Sequence, residues 1–205
     1  MTTRLLFSAV LIGMAHIPIH AATVTLDAEV LKDSLGAPMP ISGLVVLTAG
    51  TTGSFFGPTA TGFVGGSEVI LKTWDLSSFA TPGLLSVTTG DIPFGGGWDT
   101  GDPLRIYWYP TLSLASLAPG AGTPYGTYRD ATGVDGSAAW TTAGLGDTIA
   151  LKFYTSDATF LNSGGSNTAN AGRASSTVVP EPGTTALSLM ALFAVLGISR
   201  NRHAK

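Results

Sequence analysis

The 205-residue chain contains no cysteine, and that absence is the first constraint on it. A chain without thiols forms no disulfide and offers no thiolate ligand, so a folded body must rest on its own core. Histidine is nearly as scarce. His16 and His20 lie near the start and His203 near the end, leaving residues 23–179 with neither His nor Cys. Within that stretch, a Cys nucleophile and a Ser-His-Asp triad are therefore excluded, and zinc and copper sites of the usual kind are not expected. Charged residues make up only 11% of the chain, roughly half the share of an ordinary globular protein. Strong helix formers such as Glu, Lys and Gln are few, which argues against a helical bundle.

The charge that is present is acidic. Between Thr23 and Val179, six basic residues (Lys32, Lys72, Arg105, Arg129, Lys152, Arg173) stand against twelve acidic ones, of which only Glu29 and Glu68 are Glu. A body near −6 with no basic stripe is not expected to partner nucleic acid. Neither a P-loop nor a Gly-x-Ser-x-Gly pattern occurs. A paired-carboxylate glycosidase is the one hydrolase class still compatible with the composition, but no two acidic residues stand out as a pair.

The two ends differ from the middle. Arg4 precedes an apolar run from Leu5 to about Ile19, closed by His20, Ala21 and Ala22. One positive charge, a short apolar core and a small-residue exit have the layout of a secretory signal peptide over residues 1–22, cleaved at Ala21 or Ala22. The competing reading, an N-terminal membrane anchor, fits Pro18 and that exit less well. At the other end, Val179, Pro180, Glu181, Pro182 and Gly183 precede an uncharged apolar stretch, and Arg200, Arg202 and Lys205 close the chain. A transmembrane helix over 184–199 would be about 24 Å long at ~1.5 Å per residue. It would span a hydrocarbon layer of about 30 Å only with local thinning. The basic cluster would stay in the cytoplasm and leave the body outside.

Val-Pro-Glu-Pro, an apolar span and a terminal Arg-rich cluster, in that order, resemble the PEP-CTERM sorting signal. The resemblance covers residues 179–205. It implies an exosortase, a membrane-embedded Cys protease-transpeptidase, as partner. That enzyme would cut near Pro180, Glu181 and Pro182 after the inner membrane has held the substrate. The body would then go to the cell surface or extracellular matrix of a bacterium that makes exopolysaccharide. Segments such as Leu31 to Met39, Pro103 to Leu112 and Pro124 to Arg129 are similar, more loosely, to uncharacterised PEP-CTERM ectodomains, and no activity follows from that likeness.

The middle reads as strands separated by Gly-rich loops. Thr23 to Leu31 alternates apolar and polar residues. Leu44 to Thr48, Glu68 to Lys72 with Trp74 to Leu76, Leu84 to Thr88, Leu104 to Tyr109, Ala138 to Thr141 and Thr148 to Thr155 are further strands. Loops are expected at Gly50 to Gly66, Gly95 to Gly101, Pro119 to Gly126 and Asn162 to Gly172. With no βαβ rhythm, the expected fold is all-β: a single antiparallel β-sandwich, jelly-roll or Ig-like, over 23–162. Residues 163–178, poor in large apolar side chains, read as a flexible spacer.

Two acidic loops are candidate calcium sites, since calcium needs only oxygen ligands. They are Asp99 with Asp102, and Asp130 with Asp135. Asp beside Gly is more commonly plain turn chemistry, and neither loop has EF-hand spacing. Aromatic rings could form a sugar-stacking platform, with Trp98 in its Gly-rich loop the most interesting, although packing is the commoner fate of such rings. Within Tyr107 to Tyr109, alternation sends Trp108 to one face and the tyrosines to the other. The expected role is structural or adhesive, non-enzymatic and linked to exopolysaccharide. The alternative is a secreted carbohydrate-active module, either a glycan-binding domain or a carboxylate glycosidase.

Overall fold

The computed structural model describes residues 21–28, 30–51, 54–79, 81–88, 92–93, 97–130, 139–144, 146–153 and 172–179. These residues are all-β, arranged as two sheets. The strands are β1 (Ala21–Ala28), β2 (Leu44–Gly50), β3 (Glu68–Asp75), β4 (Leu85–Thr88), β5 (Ile92–Pro93), β6 (Leu104–Tyr109), β7 (Pro124–Tyr128), β8 (Thr148–Phe153) and β9 (Ser176–Thr177). The first sheet is built on β1, with β4 and β5 pairing it antiparallel and β8 pairing it parallel. The second runs β3-β2-β6-β7-β9, every pair antiparallel. The chain thus crosses repeatedly between sheets.

The parallel β1–β8 pair corrects the expectation of a purely antiparallel fold. Thr23 pairs Thr148 and Ala28 pairs Phe153. A parallel neighbour requires a long crossover, and the whole of the second sheet's β6–β7 hairpin intervenes before the chain returns to β1.

One core joins the sheets. On β1, Ala22, Val24, Leu26 and Ala28 are buried while Thr23, Thr25 and Asp27 are half-buried, the alternation of a strand with one face inward. Leu85, Leu151 and Phe153 extend that face, and Val45, Leu47, Ala49, Leu104, Ile106 and Trp108 of the second sheet complete the cluster. At roughly 25 cal/mol per Å² of apolar area removed from water, this burial is the main stabilising term.

Strand β2 is buried along its entire length. Its even face meets a second, smaller cluster of Leu44, Val46, Tyr107 and Tyr109, packed against Phe63, Leu112 and Tyr125. The middle of the second sheet, β2 and β6, is therefore covered on both sides, inwardly by the first sheet and outwardly by Phe63, Leu112 and Tyr125. The expected split of the Tyr107 to Tyr109 run holds: Trp108 enters the main core and both tyrosines enter the outer one.

Other expectations shift. Pro119 to Gly126 is not wholly loop, because β7 occupies Pro124–Tyr128 and pairs Trp108 with Gly126. The described part of Ala138 to Thr141 makes a single bridge, Thr141 with Pro103. Residues 172–178 belong to the folded body rather than to a spacer. Arg173 bridges Lys32, β9 pairs β7, and Ala174 and Val178 are 1% and 2% exposed. Small side chains escaped notice as a strand because their burial needs little apolar area. Residues 163–171 lie outside the described residues.

Candidate functional site

Each predicted site residue has a definite place or lies outside the described set. Ala21 and Ala22 are the first residues of β1, paired with Pro93 and Ile92, and Ala22 is buried. Val179 is 74% exposed, directly after buried Val178. Pro180, Glu181, Pro182, the 184–199 segment, Arg200, Arg202 and Lys205 lie outside the described residues. Among the described residues no helix is long and apolar enough to cross a membrane.

Asp99 and Asp102 do come together, in a tight turn. The Asp102 carboxylate accepts the Asp99 backbone N–H at 2.8 Å, and the Asp102 N–H donates to the Asp99 carbonyl at 3.2 Å. Residues 140–142 tie this turn to β6 through Thr142 N–H to Asp102 O and Leu104 N–H to Trp140 O, both 2.7 Å. The Asp102 carboxylate is thus engaged in turn chemistry. Asp130 is 7% exposed, and its carbonyl accepts the Trp140 N–H at 2.8 Å; Asp135 lies outside the described residues. Among the described residues no group of three or more His, Cys, Asp or Glu side chains is placed to hold a metal ion.

The aromatic platform does not form at Trp98, which is 5% exposed and part of the main core. Trp108 and Trp140 are buried as well, and Trp74 packs against the core edge. Tyr128 stacks on Phe153 with centroids 3.8 Å apart and meets Trp140 edge-on at 5.2 Å. Burial pushes its hydroxyl up to about 12, with the Asp130 charge adding to the effect. Burial likewise raises Tyr107 and Tyr109 well above the usual phenol value, with nearby Glu68 contributing to Tyr107 and Tyr107 itself to Tyr109.

Two features escaped the sequence reading, and they adjoin. The first is Glu68, 6% exposed at the start of β3. One carboxylate oxygen accepts the backbone N–H groups of Phe56 and Gly57, both at 2.6 Å; the other accepts the hydroxyls of Tyr107 at 2.9 Å and Thr48 at 3.4 Å. A buried carboxylate is tolerated when its lone pairs are filled this way. Glu68 therefore pins the 54–66 segment over the outer face of the sheet.

The second is a pair of arginines beside that segment. The β6–β7 register pairs Ile106 with Tyr128 and Tyr107 with Thr127. Extended by one residue, it sets Arg105 opposite Arg129 on the outer face. The Arg105 guanidinium lies 4.2 Å from the centroid of the Phe55 ring and that of Arg129 lies 5.3 Å from it. Arg105, Thr127, Tyr128 and Arg129 line a cleft of about 280 Å³. The Nε atoms of both arginines are buried and meet no hydrogen-bond partner. A second cleft of about 630 Å³, lined among others by Ser34, Gly122, Arg173 and Thr177, is bridged by Arg173 donating to the Ser34 carbonyl at 2.8 Å.

Comparison with protein-family models, with curated proteins and with solved structures finds no match.

Proposed function

We propose that this chain is an exported, exosortase-processed surface or extracellular-matrix protein with a structural or adhesive, non-enzymatic role linked to exopolysaccharide. Its body would be a β-sandwich of jelly-roll or Ig-like type. The observation that carries this reading is the position of the body's end. Val178 is buried and holds Thr123 and Gly122 through backbone bonds of 3.0 and 2.9 Å, and the next residue, Val179, is exposed. The proposed motif thus begins directly after the last described buried residue, so a cut at Pro180 to Pro182 would leave every described buried residue in place. Several described carboxylates are occupied in caps and turns. Asp33 accepts the N–H groups of Leu35 and Ala37 at 2.8 and 2.9 Å, and Asp75 accepts the Ser77 hydroxyl at 2.6 Å.

The test is expression of the full chain with and without an exosortase, reading the mass of the exported product and its retention in the matrix. With the enzyme, the product should end near Pro180 to Pro182, and Glu181→Ala should block release. An exported product that keeps Arg200 to Lys205 in the presence of exosortase would overturn the processing reading. A second reading, a secreted glycan-binding module, is favoured by the arginine cleft.

A further inference from the structure

We propose that the cleft lined by Arg105, Thr127 and Arg129 binds the carboxylate of a uronic acid residue in an anionic polysaccharide. The proposal rests on the glycan-linked reading above and names the ligand chemistry.

The argument starts from cost. Like charges directly opposite on neighbouring strands destabilise a sheet. Here the β6–β7 register, extended one residue past β7, sets two guanidiniums in facing positions, in a body that carries twice as many acids as bases. Arg105 reaches the Tyr107 hydroxyl, yet among the described residues each guanidinium buries an Nε donor without an acceptor. A buried unmatched donor is costly, because it has given up its water without gaining an acceptor. Cation–π contact with the Phe55 ring offsets part of this but supplies no acceptor to either Nε. Glu68 directs its hydrogen bonds to Phe56, Gly57, Tyr107 and Thr48. An oxyanion in the cleft would remove the repulsion and accept from both arginines at once.

Geometry narrows the anion. Guanidinium presents a planar fork that matches a carboxylate with two parallel bonds. A cleft of about 280 Å³ sits at the lower edge of the range for small-molecule sites, about 300–1,000 Å³, so it fits one residue of a longer chain. Its lining sets the exposed Thr127 hydroxyl beside the two cations. A sugar acid offers carboxylate and hydroxyls on a single residue, whereas an Asp or Glu side chain of a peptide offers the carboxylate alone. That match favours a uronate over an acidic peptide.

The test is a titration of the full chain in detergent with oligogalacturonate, neutral oligoglucose and oligoglutamate. Oligogalacturonate should bind, and its affinity should weaken as salt rises. Arg129→Gln should lower that affinity about tenfold and the Arg105→Gln, Arg129→Gln double variant should abolish it, with a thermal midpoint equal to or above that of the parent. Replacing both by Lys should restore only part of it, because the fork is lost. Arg129 lies just past the end of β7, so its single variant tests the site even if Arg105→Gln impairs folding. Equal binding of oligoglucose, binding of oligoglutamate without oligogalacturonate, or undiminished binding by Arg129→Gln and the double variant would each overturn the proposal. Loss of oligogalacturonate binding with matrix retention intact sinks the cleft alone; binding by a chain that exosortase leaves uncut sinks the processing reading alone.

Discussion

Replacing Gly126 by Ala should destabilise the protein by about 3 kcal/mol, and the reason lies in one indole. Gly126 pairs directly with Trp108 across the β6–β7 ladder. A Cβ on Gly126 would stand 2.0 Å from Trp108 Cε2 and Cζ2 and 2.5 Å from Nε1. Carbon atoms in contact prefer about 3.5–4.0 Å, so the ring must move by about 1.5 Å. It is poorly free to do so. Its Nε1 donates to the Lys32 carbonyl at 3.1 Å, and its ring packs 5.8 Å from that of Phe153 in the main core. Overpacking costs about 1–3 kcal/mol, and breaking the Lys32 bond adds about 1 kcal/mol. Against this, Ala restricts the unfolded chain and returns about 0.4–1 kcal/mol. The first two effects win, leaving a loss of about 3 kcal/mol in a fold whose whole stability should be about 5–15 kcal/mol. Urea unfolding of the full chain measures it, with exposed Thr127→Ala on the same strand as a control expected within about 0.5 kcal/mol. A Trp108→Leu background should relieve the clash and give a coupling energy of about 1–2 kcal/mol in the double-mutant cycle. A Gly126→Ala midpoint matching the control's would refute the reasoning.

Glu68→Gln should cost about 1–2 kcal/mol, because a neutral amide oxygen holds the N–H groups of Phe56 and Gly57 more weakly than a carboxylate and its NH2 no longer accepts from Tyr107 and Thr48; faster proteolysis within residues 54–66 is the sensitive readout. Tyr107, Tyr109 and Tyr128 all have raised folded-state values. The unfolded chain therefore releases protons first as pH climbs past about 10, and stability, unaffected below that, should fall from there upward; circular dichroism melts with tyrosinate absorbance check it, and ionisation of these tyrosines well before unfolding would contradict it. Truncation after Val179 should leave the thermal midpoint of the exported body unchanged. Truncation after Ser175 should lower it, because it removes β9 and buried Val178.

The strands legible in the sequence were those with strong periodicity or aromatic content. Leu104 to Tyr109 was placed to the residue, and β1 by its Val24, Leu26 and Ala28 alternation. Strand β7 was missed because Pro124 and Gly126 read as turn residues. Gly126 is in fact the one residue that lets the Trp108 ring lie against the backbone of its neighbour, a use of glycine that shows only once the partner strand is known. Strand β9 was missed because Ser176 and Thr177 carry no apolar signal and are held by backbone pairing to Pro124 and Tyr125. Of the candidate site, the acidic turn at Asp99 and Asp102 was visible as local chemistry. The facing of Arg105 and Arg129 was not, since it depends on the register of two strands separated by a long connection. Neither was the burial of Glu68, whose four donors come from three separate segments.

The long Gly-rich stretch after β2 follows from the same geometry. A strand such as Leu44–Gly50, apolar on both faces, must have cover on both, yet the first sheet supplies only one side. The outer side is left to the chain itself. Phe63 meets Tyr109 edge-on at 5.4 Å, the Tyr109 hydroxyl donates to the Phe63 carbonyl at 3.2 Å, and Glu68 binds the backbone at Phe56 and Gly57. A segment of that length is long for a hairpin connection and suitable for a covering layer, in which glycines allow close approach and a few rings fill the gaps. The cover reaches Tyr109 and Tyr107 through Phe63 and Glu68, and at the Arg105 end Phe55 lies against the two guanidiniums. The pin at Glu68 and the cleft are therefore mechanically linked. Loosening the pin by Glu68→Gln should weaken binding at the cleft without touching an arginine, whereas a purely structural role for Glu68 would lower the melting point and leave the affinity of the folded fraction unchanged.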